Sequence, residues 1–314
     1  MIYPNIYATL AEFQAWMTMQ GQPAMAADSS DDSVKLSILN KVSRWIEEDK
    51  QTARLFYPRY ETRLYDVPQM HKQYYWVGNS YFPTNFTGQL EDLDLRLDDD
   101  FLEINTVTNG DGTVLSAISP VPYLILPNNT YPKDTISIIL SESSSYWVAD
   151  ANGNWRSVIS VSGVLGYRKF YSQRGWSLGG TLGAAISDTT TLAFTMTAGH
   201  SLLPYQIVKI DSELYNIATV ATNTITPLQR GDNGSTAATH LNGANVYIWN
   251  VQDEIKDAVL QVAQRVYSER SGQASAGQVQ VTASGIVIRP SIVPDDVQST
   301  IDNFRRTVVW GSVS

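Results

Sequence analysis

Hydrophobic and polar positions alternate along the chain with two periods, and the period changes four times. The first stretch is helical. Leu10, Phe13 and Met17 share one face of a segment from Thr9 to Met19, and Thr9 with Glu12 three residues on has the spacing of a capping box. Gly21 to Ser33 is small and polar and reads as a loop. It contains Asp28-Ser29-Ser30-Asp31-Asp32, whose carboxylates suit a helix N-terminus. Val34, Ile38, Val42, Trp45 and Ile46 then recur at three- and four-residue steps, with Lys35, Lys41, Glu47, Glu48 and Lys50 elsewhere. This predicts a second helix ending near Leu55, because Pro58 cannot continue it.

From Tyr60 to about Phe170 the period becomes two. In Leu93-Asp94-Leu95-Arg96-Leu97-Asp98, leucines alternate with charges, so one row faces a core and the other faces water. Asn109-Gly110-Asp111-Gly112 has the residues of a hairpin turn. A strand is expected over Thr135 to Leu140, and Ala149 to Asn154 is a further turn. A second β region covers Arg174 to Ile248. Its expected strands are Thr189–Thr197, Gln206–Ile210, Leu214–Val220 and Ala244–Trp249, with turns at Asp211-Ser212-Glu213, Thr222-Asn223 and Gly231-Asp232-Asn233-Gly234. Helix returns with the stripe Val251, Ile255, Val259, Val262 and Val266, and Gly272 stops it. Ser271 to Gly277 has the composition of a flexible link, and Val279 to Arg289 alternates again. A last helix is expected over about Asp295 to Trp310, with Val297, Ile301, Phe304 and Val308 on one side and Arg305 and Arg306 in its final turns.

The pattern predicts an α+β chain: a helical frame at both ends, a β-rich middle and an inserted small all-β module. The expected division is 1–27 as an N-terminal extension, 28–173 plus 250–314 as a discontinuous core, and 174–249 as the inserted module. A chain of 314 residues with 43% hydrophobic residues can bury a sizeable core. Its 17 Tyr and 8 Trp fit either an aromatic-rich β core or protein–protein interfaces. A net charge of −9 argues against electrostatic wrapping of nucleic acid and still lets DNA slide past.

Candidate chemistry is sparse. With no cysteine, disulfides, thiolate catalysis and Cys-based zinc sites are excluded. His71, His200 and His240 stand in no metal-ligand spacing, and His200 and His240 flank loops of the inserted module. No run of about 18 apolar residues suggests a membrane span, and Met1 to Leu10 lacks the pattern of a signal peptide. Gly231-Asp232-Asn233-Gly234 is neither a dinucleotide nor a P-loop fingerprint, and no nucleophile elbow occurs. Neither catalytic residues nor a cofactor nor a metal is expected. Glu91, Asp92, Asp94, Asp98, Asp99 and Asp100 form an acidic run, read as a solvated face or the lining of a ring rather than a carboxylate pair for glycoside cleavage. Arg168-Lys169-Phe170-Tyr171 through Arg174-Gly175-Trp176 mixes cations and aromatics and reads as a domain junction.

The order of elements resembles the tailed-phage head–tail connector or adaptor proteins that form a ring beneath the portal. The likeness rests on the helix Ser33 to Glu47 with Phe56-Tyr57-Pro58 and Glu61 to Asp66, on Leu97 to Leu102 with Thr106 to Thr113, and on Val251 to Leu260 paired with Val293-Pro294-Asp295-Asp296-Val297 and Phe304-Arg305-Arg306. Ile210-Asp211-Ser212-Glu213-Leu214, with Arg230 to His240, resembles a small β unit common in phage neck and tail proteins. The long lead Met1 to Ala27 and the length of the insert depart from the pattern.

The resemblance implies a virion structural protein and not an enzyme. It would sit at the head–tail interface and be assembled in the host cytoplasm. Its partners would be the portal protein, a tail-side neck or tail-completion protein, and its own copies in a ring, usually dodecameric. Double-stranded DNA would pass through without specific binding, and no membrane is involved. Phe304, Arg305, Arg306 and Trp310 are the candidate portal-docking residues. Glu91, Asp92, Asp94, Asp98, Asp99 and Asp100 are the candidate channel lining. The alternative is another neck, tail-completion or baseplate protein, whose inserted module binds carbohydrate, through Trp176 and Tyr205, or another virion protein. A polysaccharide-cleaving enzyme is the remaining rival.

Overall fold

The structure, a computed structural model, describes residues 4–68, 74–77, 80–83, 94–139, 146–169, 175–271, 280–281, 287–288 and 293–306. In chain order the helices and strands are α1 (Leu10–Met19), α2 (Pro23–Ala27), α3 (Asp32–Glu47), β1 (Arg59–Tyr65), β2 (Tyr74–Val77), β3 (Ser80–Pro83), β4 (Asp94–Thr108), β5 (Tyr123–Leu126), β6 (Lys133–Ile138) and β7 (Ile159–Leu165). There follow β8 (Trp176–Thr181), β9 (Phe194–Thr195), β10 (Ile207–Ile210), β11 (Glu213–Ala221), β12 (Thr224–Pro227), β13 (Asn245–Trp249), α4 (Asp253–Arg270), β14 (Gln280–Val281), β15 (Val287–Ile288) and α5 (Asp295–Asn303). The fold class is α+β, with helices and two antiparallel sheets.

The chain divides into two compact units. Met1–Arg59, Gly166–Arg168 and Gln173–Ser314 form the first, and Tyr60–Leu165 with Lys169–Ser172 form the second. The helices and the 174–249 module therefore share one unit, and the strands between 60 and 165 form the other.

In the first unit, α1, α3 and α4 pack through their apolar faces. Phe13 of α1 meets Tyr267 of α4 edge-on, with ring centres 6.3 Å apart. Trp16 Nε1 donates to Gln264 at 2.8 Å, and Lys256 Nζ pairs with Glu12 at 2.7 Å. The capping box expected at the start of α1 is present: Thr9 Oγ1 accepts from the Glu12 amide, and the Glu12 carboxylate accepts from the Thr9 amide at 2.7 Å. On α3 the expected stripe is buried at Ile38, Val42 and Ile46 and departs only at its start. Val34 is 36% exposed, whereas Lys35 is fully buried. Its ammonium donates to the Asp28 carbonyl and to Asp32 Oδ1, and it lies 5.8 Å from the centre of the Tyr267 ring. A lysine tolerates that position because its stem is apolar and its charge is partnered.

The module's sheet runs β8-β13-β10-β11-β12-β9. Alternate residues of its strands, among them Val208, Ile210, Tyr215, Ile217, Ile225, Val246 and Ile248, make one core with Leu182, Phe194, Met196 and Leu202. In the second unit the sheet runs β1-β7-β4-β6-β5 around Leu95, Leu97, Phe101, Val107, Ile136, Ile159 and Val161. Leu95 and Leu97 are buried while Asp94, Arg96 and Asp98 are exposed, as the alternation predicts. The register then breaks between Arg96 and Phe101, where β4 stops pairing β6 in step and takes up β7. This irregularity buries Asp100 beside Phe101.

Several boundaries differ from expectation. The stretch read as a loop contains α2, with Pro23 at its first turn, and a short 3-10 turn over Ser29–Asp31. The second helix stops at Glu47, eight residues before Leu55, because residues 48–53 fold into a turn. There the Thr52 amide bonds Ile46 O, the Ala53 amide bonds Glu48 O, and Ala53 takes φ +51°. The Thr189–Thr197 strand shrinks to Phe194–Thr195, because Asp188 accepts the amides and hydroxyls of Thr190 and Thr191 and holds them in a local turn. The last helix ends at Asn303, and Val308 and Trp310 lie outside the described residues.

Replacing the cap tests how α1 is held. Thr9→Ala should lower unfolding stability by about 1 kcal/mol, read from urea denaturation, with an unchanged m-value.

Candidate functional site

The densest polar construction in the first unit is built on Glu213, at the start of β11 and fully buried. Its Oε1 accepts from Arg230 Nε at 2.9 Å and from the Gly231 amide at 2.8 Å. Its Oε2 accepts from Arg230 NH2 at 3.0 Å and from the Ala238 amide at 2.8 Å, and lies 3.0 Å from His240 Nε2. The Arg230 guanidinium is equally committed. NH1 donates to the carbonyls of Asp188 and Thr191, each at 3.0 Å, and NH2 also donates to Ala238 O. The other His240 nitrogen is 2.7 Å from Asp211 Oδ2. Gly231 can serve only as glycine: it takes φ +61°, and a Cβ there would meet Ser235 O at 2.7 Å.

Burial by itself would raise the Glu213 carboxyl. The hydrogen bonds from Arg230, Ala238, His240 and Gly231 outweigh it and hold the group at about 2. With every acceptor site taken, Glu213 cannot serve as a nucleophile or base. The arrangement closes the 228–240 loop onto β11.

Asp232 forms a second layer. Its carboxylate accepts from Asn216 Nδ2 at 2.7 Å and Gln229 Nε2 at 3.0 Å. Asn216 Oδ1 then accepts from the Asn5 amide at 3.0 Å, and the side-chain amides of Asn5 and Asn233 bond each other reciprocally at 2.9 Å. The segment Asn5–Thr9, buried throughout, is thus strapped to the module. Tyr7 continues it onto α3. The Tyr7 amide donates to Ser43 Oγ at 3.1 Å, and the Tyr7 hydroxyl donates to Glu47 Oε1 while accepting from the Phe56 amide.

The residues singled out in the sequence fall in several places. Phe304 packs edge-on against Phe56 and Tyr167, with ring centres 6.1 and 5.9 Å away, and its carbonyl accepts from Arg54 Nε. The Arg306 amide donates to Thr52 O, and Arg305 is exposed. The apolar face of α5, Val297 and Ile301, is buried within its own unit. Asp94 and Asp98 are exposed with Arg96 between them, Asp99 pairs with Arg63 at 2.7 Å, and Asp100 is buried. Glu91, Asp92, Trp310 and His71 lie outside the described residues. Arg168 donates to the carbonyls of Asn250 and Val251, and Phe170, Tyr171 and Arg174 lie outside the described residues. His200 bonds Thr222 O at 2.8 Å. Trp176 stands edge-on to Trp249 with the Lys209 ammonium 4.9 Å from its ring centre.

No family model, curated protein or solved structure matches the chain.

Among the described residues no group of three or more His, Asp or Glu could hold a metal ion, and no helix is long and apolar enough to cross a membrane. Sequence reasoning missed Asn5, Tyr7, Glu47 and the Glu213–Arg230 pair. The available signal for the last was an acid opening an otherwise apolar strand, in the same two stretches that carried the resemblance.

Removing one partner of the buried pair should be severe. Glu213→Gln leaves Arg230 uncompensated and should cost about 3–5 kcal/mol in denaturant unfolding. The acid response has a defined sign. The carboxyl sits near 4.5 when free and at about 2 when folded, so its stabilisation is complete above 4.5 and is lost as the pH falls towards 2. Acid titration of the wild type should show this loss, and Glu213→Gln should lack that component.

Proposed function

We propose that the chain is a virion structural subunit, a head–tail adaptor that binds the portal ring, joins capsid to tail and lets DNA pass. One observation carries the reading. α3 and α4 are joined by about two hundred residues of sheet-rich chain, yet they pack together with α1 into one helical layer. A helical frame that opens, releases two β excursions and closes again has the element order of the adaptors the sequence resembles.

Two further features agree with a passive role. The buried charges of the module are matched donor for acceptor, which gives rigidity and leaves none free for proton transfer. Asp94 and Asp98 present carboxylates to solvent on a long strand on either side of exposed Arg96, a net negative face that disfavours phosphates. On this reading copies of the chain form the ring, and a neck or tail-completion protein follows on the tail side. Docking through α5 would use Arg305 and the residues that follow, since Val297, Ile301 and Phe304 already pack within the subunit.

The deciding experiment is the mass of the purified chain with and without its portal, by light scattering, together with proteomics of purified infectious particles. The chain should join the portal in a ring stoichiometry and be present in every particle. Its absence from particles, or turnover of a small molecule by the isolated chain, would end the proposal. Changing Asp94 and Asp98 to Lys should slow DNA ejection while leaving particle assembly intact, measured by ejection kinetics.

A further inference from the structure

Glu47 is the last residue of α3, where the helix presents its unsatisfied carbonyls and disfavours added negative charge. Its side chain is only 13% exposed. The groups facing it come from three elements. Arg44, one turn back on α3, places NH2 2.8 Å from Oε1. Tyr7, on the strap, donates its hydroxyl to the same oxygen. Arg59, at the start of β1, adds a more distant positive charge.

Arg44 is shared. It also donates to the Asn5 carbonyl at 2.6 Å and lies against the rings of Tyr7 and Tyr57, while its Nε has no hydrogen-bond partner. The carboxylate is therefore buried at the unfavourable end of a helix with one divided cation and one neutral donor. Glu213, by contrast, has five donors.

We propose that Glu47 is a proton-responsive latch on the N-terminal strap: with a proton the Tyr7 hub closes without a buried charge, and without it the strap opens more readily. The chain of contacts gives the latch its reach. Tyr7 holds the Phe56 amide, and two residues before it Asn5 holds Asn216 and Asn233 of the module, so loosening Tyr7 loosens the strap between α3 and the module.

Burial pushes the Glu47 carboxyl up to about 7 against the lowering effects of Arg44, Tyr7 and Arg59. The sign follows. Below about 4.5 both the closed and open forms carry the proton and the strap is tightest. Between 4.5 and about 7 only the closed form keeps it, so opening becomes easier as the pH rises. Above about 7 the effect is constant.

The test is hydrogen exchange at the Tyr7 and Phe56 amides, expressed as an opening constant across pH 5 to 8. In the wild type the constant should rise by up to about tenfold per pH unit until near neutrality and then level off. Glu47→Gln, which keeps an acceptor for the Tyr7 hydroxyl and carries no titrating group, should be flat. A flat wild type, or an equal slope in Glu47→Gln, would overturn the proposal. The carbon-13 shift of the Glu47 carboxyl reads the same proton in the unaltered protein. A midpoint near the ordinary carboxylate value would overturn it independently.

Discussion

A buried carboxylate can be kept only if the fold supplies donors to replace the water it loses, and the first unit meets that constraint in two opposite ways. Glu213 receives two bonds from Arg230, two backbone amides and the edge of His240, and is held at about 2. Glu47 receives one hydroxyl and a shared guanidinium, and is pushed up to about 7. The first carboxylate is a permanent anion that organises a loop. The second is close to giving up its charge. Burial raises both groups, and Glu213 has more donors, better aimed, to offset it than Glu47 has.

These two groups sit near opposite ends of one run of hydrogen bonds. From Arg230 it passes beside Asp232 and Asn216 to Asn5, and then along the strap to Tyr7 and Glu47 on α3. Its links from Asn5 to Asn216 and Asn233 and from Tyr7 to Glu47 join residues far apart in the sequence. The helical layer and the module are in this way held in part by polar links through the strap, which makes its geometry more exacting than its length suggests.

Sequence reasoning worked where a local rule governs and failed where a distant partner decides. The capping box at Thr9 and Glu12 and the alternation at Leu95 and Leu97 depend on neighbours three or two residues away, and both are seen. The end of α3 was misplaced because the turn after Glu47 is fixed by backbone bonds and by a non-glycine residue with positive φ, which no periodicity reports. Lys35 falls off the apolar stripe of the sequence, yet its partners, Asp28 O and the Tyr267 ring, bury it, and they come from a turn and from a helix beginning some 220 residues later. The N-terminal lead was treated as an extension, although Asn5 to Thr9 are as buried as the core strands. The acidic run was read as one stripe. The break in register after Arg96 separates it into exposed Asp94 and Asp98, paired Asp99 and buried Asp100.

The strap also sets an order of events during synthesis. Residues 5 to 9 leave the ribosome ahead of their module partners, since Asn216 and Asn233 are made more than two hundred residues later. At roughly 5–20 residues per second, Asn5 waits on the order of ten seconds or more for the module, while Tyr7 can meet Ser43, Glu47 and Phe56 much sooner. Docking Asn5 on the module closes a long loop, a topology that folds slowly. A segment made early is thus among the last to find all its partners, and the nascent chain must stay soluble with Phe13 uncovered until α4, which carries Tyr267, is made.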